Sequence, residues 1–378
     1  MAGQVTESPA RASAPEYQGA LGSLSVNASL PEVLDRGVRE LRAAEEAGDA
    51  REAARCGLAV AEACRRLGRV EEADRAWKAS FRAARSAGHE GAMAWALWSG
   101  GTLARQRGAL RLAYRLLGLA AGAGERGGDV VVRGYSLAGL AETGRIQGDY
   151  EAVGRLHEQL LAEARRRGEA RHTVWALEGI AQMHRNTGSY DRALALFEEA
   201  ADTAARAEDR RGWAWALRGI ADVVSVRDGD VERALSLLTR AEEACREVRL
   251  AGALAYNHKM RGNVLYRAGR YAEARELYAR ALEEFRAMEE PRGMALSRLG
   301  LVKADARLGR DAAHTSAELA ALRTTLDRIG LRHARDMVDK AAAELGLTPL
   351  PEEAGRAGTV LPEVGVAALR KADVEGLR

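Results

Sequence analysis

Apolar positions along this chain repeat on two scales. Over 171–210 they recur at helical spacing in two segments separated by the turn Thr187-Gly188-Ser189. In the second segment Ala193, Phe197 and Ala200 fall at i, i+4 and i+7 and so share one helical face, while the small Ala181 in the first lets a partner helix come close. The whole unit then returns. Gly68, Gly108, Gly148 and Gly188 are each 40 residues apart, and so are Gly229, Gly269 and Gly309. One extra residue in the Ser225–Gly229 stretch separates the two series and predicts a bulge in the fifth unit's first helix or turn. The pattern predicts helical hairpins near 51–90, 91–130, 131–170, 171–210, 211–250, 251–290 and 291–330. Each hairpin buries its apolar face only against its neighbours, giving one elongated core.

The ends break the pattern. Residues 1–29, rich in Ala, Ser, Gly and Pro, predict a disordered N-terminal arm. Pro31 can open a capping helix over 31–47. The seventh hairpin is degenerate, with Asp311 and His314 in place of its aromatic and alanine, and it closes the array together with a helix over 331–345. The array is thus placed at 30–348. Pro349 and Pro351 break the helix, and 349–378 is read as a polar tail in which 361–369 could form a short helix.

The sixth hairpin carries Gly262, Gly269, Tyr271, Ala274, Tyr278 and Ala281, and the fourth carries Ala181, Gly188, Tyr190, Ala193, Phe197 and Ala200. In that order of small residue, turn glycine, aromatic, alanine, aromatic and alanine, the chain resembles the tetratricopeptide repeat (TPR) family over most of its length. The resemblance implies an all-α, TPR-like α-solenoid of about seven hairpins wound into a right-handed superhelix. The period of 40 departs from the family's usual value of about 34, so longer helices and a deeper groove are expected. The first helices resemble those of sensor arrays on large bacterial transcriptional activators and of stand-alone peptide-receptor regulators of Gram-positive bacteria.

Composition narrows the function. Net charge is only +3, and lysine occurs at 78, 259, 303, 340 and 371 alone, so arginine carries nearly all the positive charge. Heavy Arg, Ala and Gly usage points to a high-GC bacterial genome. Arginines alternate with Asp and Glu as on solvated helix faces, without the clustered basic face or motif of a specific nucleic-acid binder. Cys56, Cys64 and Cys245 lack metal-ligand spacing and indicate a reducing, cytoplasmic setting. No basic-then-apolar leader and no membrane-length apolar run is present, and no metal or cofactor is expected. The string Gly122-Ala123-Gly124-Glu125-Arg126-Gly127 fits GxGxxG, but it follows a second helix rather than a strand and reads as an inter-repeat connection. His184 is placed on the packing side of its helix.

The concave positions implied by the resemblance are the informative ones. One register reads Arg55, Trp95, Tyr135, Trp175, Trp215, Tyr256 and Leu296, with Trp98 one turn after Trp95. A second reads Arg65, Arg105, Arg145 and Arg185, continued one place later by Arg227, Arg267 and Arg307. Between them lie Glu62, Thr102, Glu142, Gln182, Asp222 and Asn263, with Glu178 and Arg218 alongside. Aromatic faces bury apolar side chains and accept cations, and arginine forks pair with carboxylates. The expected groove comprises Trp95, Trp98, Arg105, Tyr135, Glu142, Arg145, Trp175, Glu178, Gln182, Arg185, Trp215, Arg218, Asp222, Tyr256, Lys259, Asn263 and Arg267. Both rows also admit a packing role, rings against the next first helix and arginines bridging to neighbouring acids. Lys259 and Asn263 occupy two positions of the family's carboxylate clamp, but Leu296 and Gly300 stand where its remainder should be.

The expectation is a non-enzymatic scaffold or regulator holding a peptide or protein in this groove, with no nucleic acid and no membrane as partner. The alternative is a small-molecule site or biosynthetic enzyme inside the superhelix, using Glu142, Glu178 and Asp222 among Arg145, Arg185 and Arg218. A closed pocket with a strongly perturbed carboxylate favours the alternative, and an open trough favours peptide. Self-association through the ends of the array is left open.

Overall fold

The computed structural model describes residues 30–147, 150–328, 331–347 and Leu350. The expected arm over 1–29 and, Leu350 apart, the expected tail over 349–378 lie outside the described residues. Every regular element among them is a helix: α1 (Leu30–Glu46), α2 (Ala50–Arg66), α3 (Val70–Ser86), α4 (Glu90–Gln106), α5 (Leu110–Arg126), α6 (Val130–Gln147), α7 (Tyr150–Arg167) and α8 (Ala170–Asn186), then α9 (Tyr190–Arg206), α10 (Arg210–Arg227), α11 (Val231–Glu247), α12 (Ala251–Arg267), α13 (Tyr271–Ala287), α14 (Pro291–Arg307), α15 (Ala312–Arg328) and α16 (Arg332–Glu344). None is long and apolar enough to cross a membrane.

The long period has a local cause. Most helices have 17 residues, and a connection of about three residues follows each, within a hairpin and between hairpins alike. At Gly68 the chain takes φ +78°, Gly68 N–H donates to Arg65 O and Arg69 N–H donates to Cys64 O at 2.8 Å. The same pair of bonds closes α8, where Ser189 N–H reaches His184 O at 2.9 Å. This left-handed cap satisfies two carbonyls that a helix end otherwise strands. Two matched half-units of 20 residues give the period of 40. The extra residue of the fifth unit makes no bulge: α10 runs to 18 residues and the turn follows one place later.

Even-numbered helices form an inner layer, each touching the next even helix from α2 through α16 as well as its sequence neighbours. Small residues permit this. Trp77 of α3 lies so close to Gly100 of α4 that a β-carbon there would sit 2.7 Å from the indole, and Phe197 of α9 packs on Gly219 in the same way. His157 holds the position of Trp77 and Phe197 in its own hairpin and is fully buried. Desolvation pushes its imidazole down to about 4. The GxGxxG string falls in the last turns and C-cap of α5, where Gly127 meets the backbone of Gly91. His184, in contrast to expectation, is partly exposed at the end of α8 and accepts from Arg192 Nε at 3.1 Å.

The array does not stay open. A β-carbon on Gly68 would lie 2.6 Å from Met288 Cγ, and Arg107 pairs with Glu289 at 3.6 Å. Leu110 and Ile146 share an apolar cluster with Leu331, Ala334 and Val338, and α6 touches α16. The first hairpins therefore meet the last, and the expected trough is closed along a seam.

Candidate functional site

Closure turns the inner layer into the wall of one chamber with a volume of about 330 Å³. Residues of every even-numbered helix from α2 to α16 line it. Of the expected groove residues, Arg105, Glu142, Arg145, Trp175, Glu178, Gln182, Arg185, Trp215, Arg218, Asp222, Tyr256, Lys259 and Asn263 are on that wall. Trp95, Trp98, Tyr135 and Arg267 are not.

The aromatic row divides in the middle. Trp95 is 0% exposed, and its ring meets those of Trp98 at 5.5 Å and Tyr135 at 5.6 Å. Tyr135 continues the stack to His172 at 4.1 Å and to Trp175 at 5.9 Å. Asp129, at the start of α6, accepts the Trp95 indole N–H at 2.8 Å and fixes the ring between α4 and α6. These first rings are core. Trp175, Trp215 and Tyr256, further along, are partly exposed into the chamber. Arg211 lies over Trp215 at 4.3 Å, with Arg218 at 5.9 Å from Trp215 and 5.6 Å from Tyr256.

The arginine row is knit to the polar row. Arg65 binds Glu62 at 2.7 Å, Arg145 binds Glu142 at 2.5 Å and Arg185 reaches Asp222 at 2.6 Å. Arg105 approaches Glu142 at 3.9 Å, and Arg267, behind the wall, holds Asp222 at 2.9 Å and Ser225 at 3.0 Å. Arg227 turns outward to Asp191 and Asp228, and Arg307 pairs with Glu344. Burial alone would raise the Glu62 carboxyl, but Arg65, Arg66 and the Ser99 hydroxyl overcome it and hold the group at about 2. Glu142, under burial opposed by Arg145 and Arg105, is likewise held at about 2.

Other groups on the wall are not compensated. Burial pushes the Glu178 carboxyl well above the usual range, against the pull of Arg218, and its Oε1 has no hydrogen-bond partner. Lys259 is 9% exposed, and burial lowers its ammonium to about 7 despite Asp222. The clamp expectation gains no further member. Asn263 accepts the Tyr278 hydroxyl at 3.0 Å, Leu296 is apolar wall, and Gly300 is pressed against Tyr278.

Residues outside the expected set complete the chamber: Arg66, Arg211, Glu290 and Arg292 from the inner helices, and Leu331, Ala334 and Met337 from the end of the array. A signal for part of this set was present, since Arg211 and Arg292 each stand four residues before a member of the first register, Trp215 and Leu296. Arg292 donates to the Tyr256 hydroxyl at 3.2 Å, which itself donates to Glu290 at 3.0 Å. In total, nine basic side chains face four acidic ones. A cluster of Glu40 on α1 with Glu52 and Cys56 on α2 is crossed by Arg55, 3.3 Å from Glu40 and 2.5 Å from Glu52. Burial pushes the Cys56 thiol up to about 12.

Comparison with known proteins agrees with this architecture. A tetratricopeptide repeat family model matches residues 173–247, and a second matches 255–287. The chain carries a TPR-type repeat array. Among solved structures it is similar to a Rap protein complexed with competence and sporulation factor, at 13% identity and TM-score 0.53 over 83% of this chain and 98% of that one. The apo quorum sensor NprR of B. thuringiensis matches at 13% identity and TM-score 0.47, over 83% and 97% of the two chains. No curated protein matches by sequence. The TPR array accounts for the hairpins and for the glycines of the inner, even-numbered helices, such as Gly100 and Gly219, that seat side chains of the odd-numbered ones.

Proposed function

We propose that this TPR array is a non-enzymatic regulator or scaffold, cytoplasmic in setting, that holds a short peptide or the end of a protein chain in its central chamber. The observation that carries the reading is convergence: the inner helices of successive hairpins deliver Trp175, Trp215 and Tyr256 and an excess of cations to one central space. Apolar faces beside arginine forks suit an acidic or amphipathic peptide segment. The similar Rap structure contains a bound competence and sporulation factor, which supports a ligand-holding role for this fold.

The modest volume and the perturbed Glu178 favour a second reading, a small-molecule site, because about 330 Å³ is within the range of small-ligand pockets. One experiment separates the two. Protein purified gently from its native cell extract is denatured, and the released material is weighed by mass spectrometry. A peptide is expected, present with the wild type and depleted at least tenfold with the Trp215→Ala/Arg218→Ala variant at similar melting temperature. A non-peptide compound released in its place would establish the small-molecule reading.

A further inference from the structure

On one side of the chamber the pairing of charges breaks down. Arg65, Arg145 and Arg185 each have a carboxylate partner, and Arg292 has the Tyr256 hydroxyl. Arg211, Arg218 and Lys259 form no ion pair among the described residues. Arg211 and Arg218 flank Trp215 on α10, Arg218 also lies over the ring of Tyr256 on α12, and Lys259 follows Tyr256 by one turn on the same wall. Arginine over a ring keeps its forked N–H groups free for an acceptor.

The cause is readable in the repeat. In two other hairpins the residue opening the next inner helix supplies an acid to the preceding ring: Asp129 accepts from Trp95 and Glu290 from Tyr256. After Trp215 the corresponding N-cap is Leu250, displaced by the extra residue of α10. The Trp215 Nε1–H is accordingly buried without a partner. Glu178 on α8, which feels Arg218, has an Oε1 buried without a hydrogen-bond partner, and burial pushes its carboxyl well above the ordinary range. This part of the wall thus gathers donors: two guanidinium groups, an ammonium and an indole N–H.

We infer that Arg211, Trp215, Arg218 and Lys259 form an oxyanion site that takes a carboxylate or phosphate group of the chamber's ligand. This rests on the reading that the chamber binds a ligand, and it specifies the chemistry that ligand presents. An ammonium as buried as Lys259 is unfavourable without a counter-ion, and the incoming oxyanion supplies one. The groups facing Lys259 are Asp222 on α10, Arg185 on α8, Arg267 on its own helix and Arg292 on α14, a predominantly cationic set. Binding raises the Lys259 ammonium from about 7, so a proton is taken up. Affinity then falls as pH rises above about 7, by up to about tenfold per unit.

The test uses the full chain and simple probes: pyrophosphate, glutarate and a tetraglutamate peptide, each against chloride at equal ionic strength. Melting temperature and calorimetric binding are followed at pH 6.0 and 8.5. At least one probe is expected to bind saturably, more tightly at pH 6.0, and its identity tells phosphate from carboxylate. Arg218→Gln and Lys259→Met should each weaken that probe at least tenfold, and Lys259→Met should remove most of the pH dependence. Lys259→Met removes a desolvated charge and is expected to melt no lower than wild type, so loss of binding there is not loss of fold. Arg85→Gln on the outer surface should change nothing. Absence of any effect beyond chloride, or equal binding by both variants, overturns the oxyanion site. That failure leaves the peptide reading standing if a released peptide is found, whereas a bound oxyanion with no peptide sinks the peptide reading alone.

Discussion

Replacing Glu62 with glutamine is expected to destabilise the array by about 3–5 kcal/mol, the range for breaking one partner out of a buried ion pair. Glu62 is 0% exposed, and it is bound by Arg65 at 2.7 Å and by the Ser99 hydroxyl at 2.7 Å, with Arg66 at 3.8 Å. Glutamine keeps the shape and removes the charge, leaving two nearly buried guanidinium groups without it. Urea denaturation at pH 7 reads the loss directly. Acid gives an independent check. This carboxyl lies at about 2 in the native chain against an ordinary 4.5, so its contribution is complete above pH 4.5 and is lost as pH falls toward 2. The part of the acid destabilisation due to this group should be missing in Glu62→Gln. Glu283→Gln, at an exposed pair with Arg286, should cost less than about 1 kcal/mol.

The second large effect separates two residues of one register. Trp95→Ala is expected to cost about 3–5 kcal/mol, as for a large aromatic removed from a packed core. It also leaves Asp129 without the indole N–H it accepts at 2.8 Å. Trp215→Ala should cost clearly less, because its ring is partly open to the chamber and its Nε1 has no partner to lose. Paired denaturation curves check the ordering. Equal losses would mean that the row is core throughout.

The fold was legible because its rules are local. A left-handed glycine ends a helix after a fixed number of residues, and repetition of Gly68, Gly108 and Gly188 displays the period without any tertiary information. The chamber was legible only as a set of residue types. Trp95 and Trp215 hold the same place in their hairpins, and nothing near either one announces that the first is covered. What covers it is the stack through Trp98 and Tyr135 and the Asp129 contact from the next hairpin. Arg211 and Arg292 were missed because they precede the expected groove positions by a full turn, on a stretch that an open array would leave outside the hollow. Closure itself has no local sign. It sums small rotations between hairpins until Gly68 meets Met288, residues far apart in the chain.

Everything assigned to the chamber depends on that meeting, and zero-length carbodiimide cross-linking tests it. Arg107→Lys places an amine facing Glu289, in place of the native pair at 3.6 Å. Lys303 and Glu344, at 2.6 Å, serve as an internal control on the same molecule. At low protein concentration, peptide mapping of the monomer-sized product should show a bond between positions 107 and 289 alongside the Lys303–Glu344 bond. A control bond with none between 107 and 289 would mean an open trough, and an enclosed oxyanion chamber could not then exist.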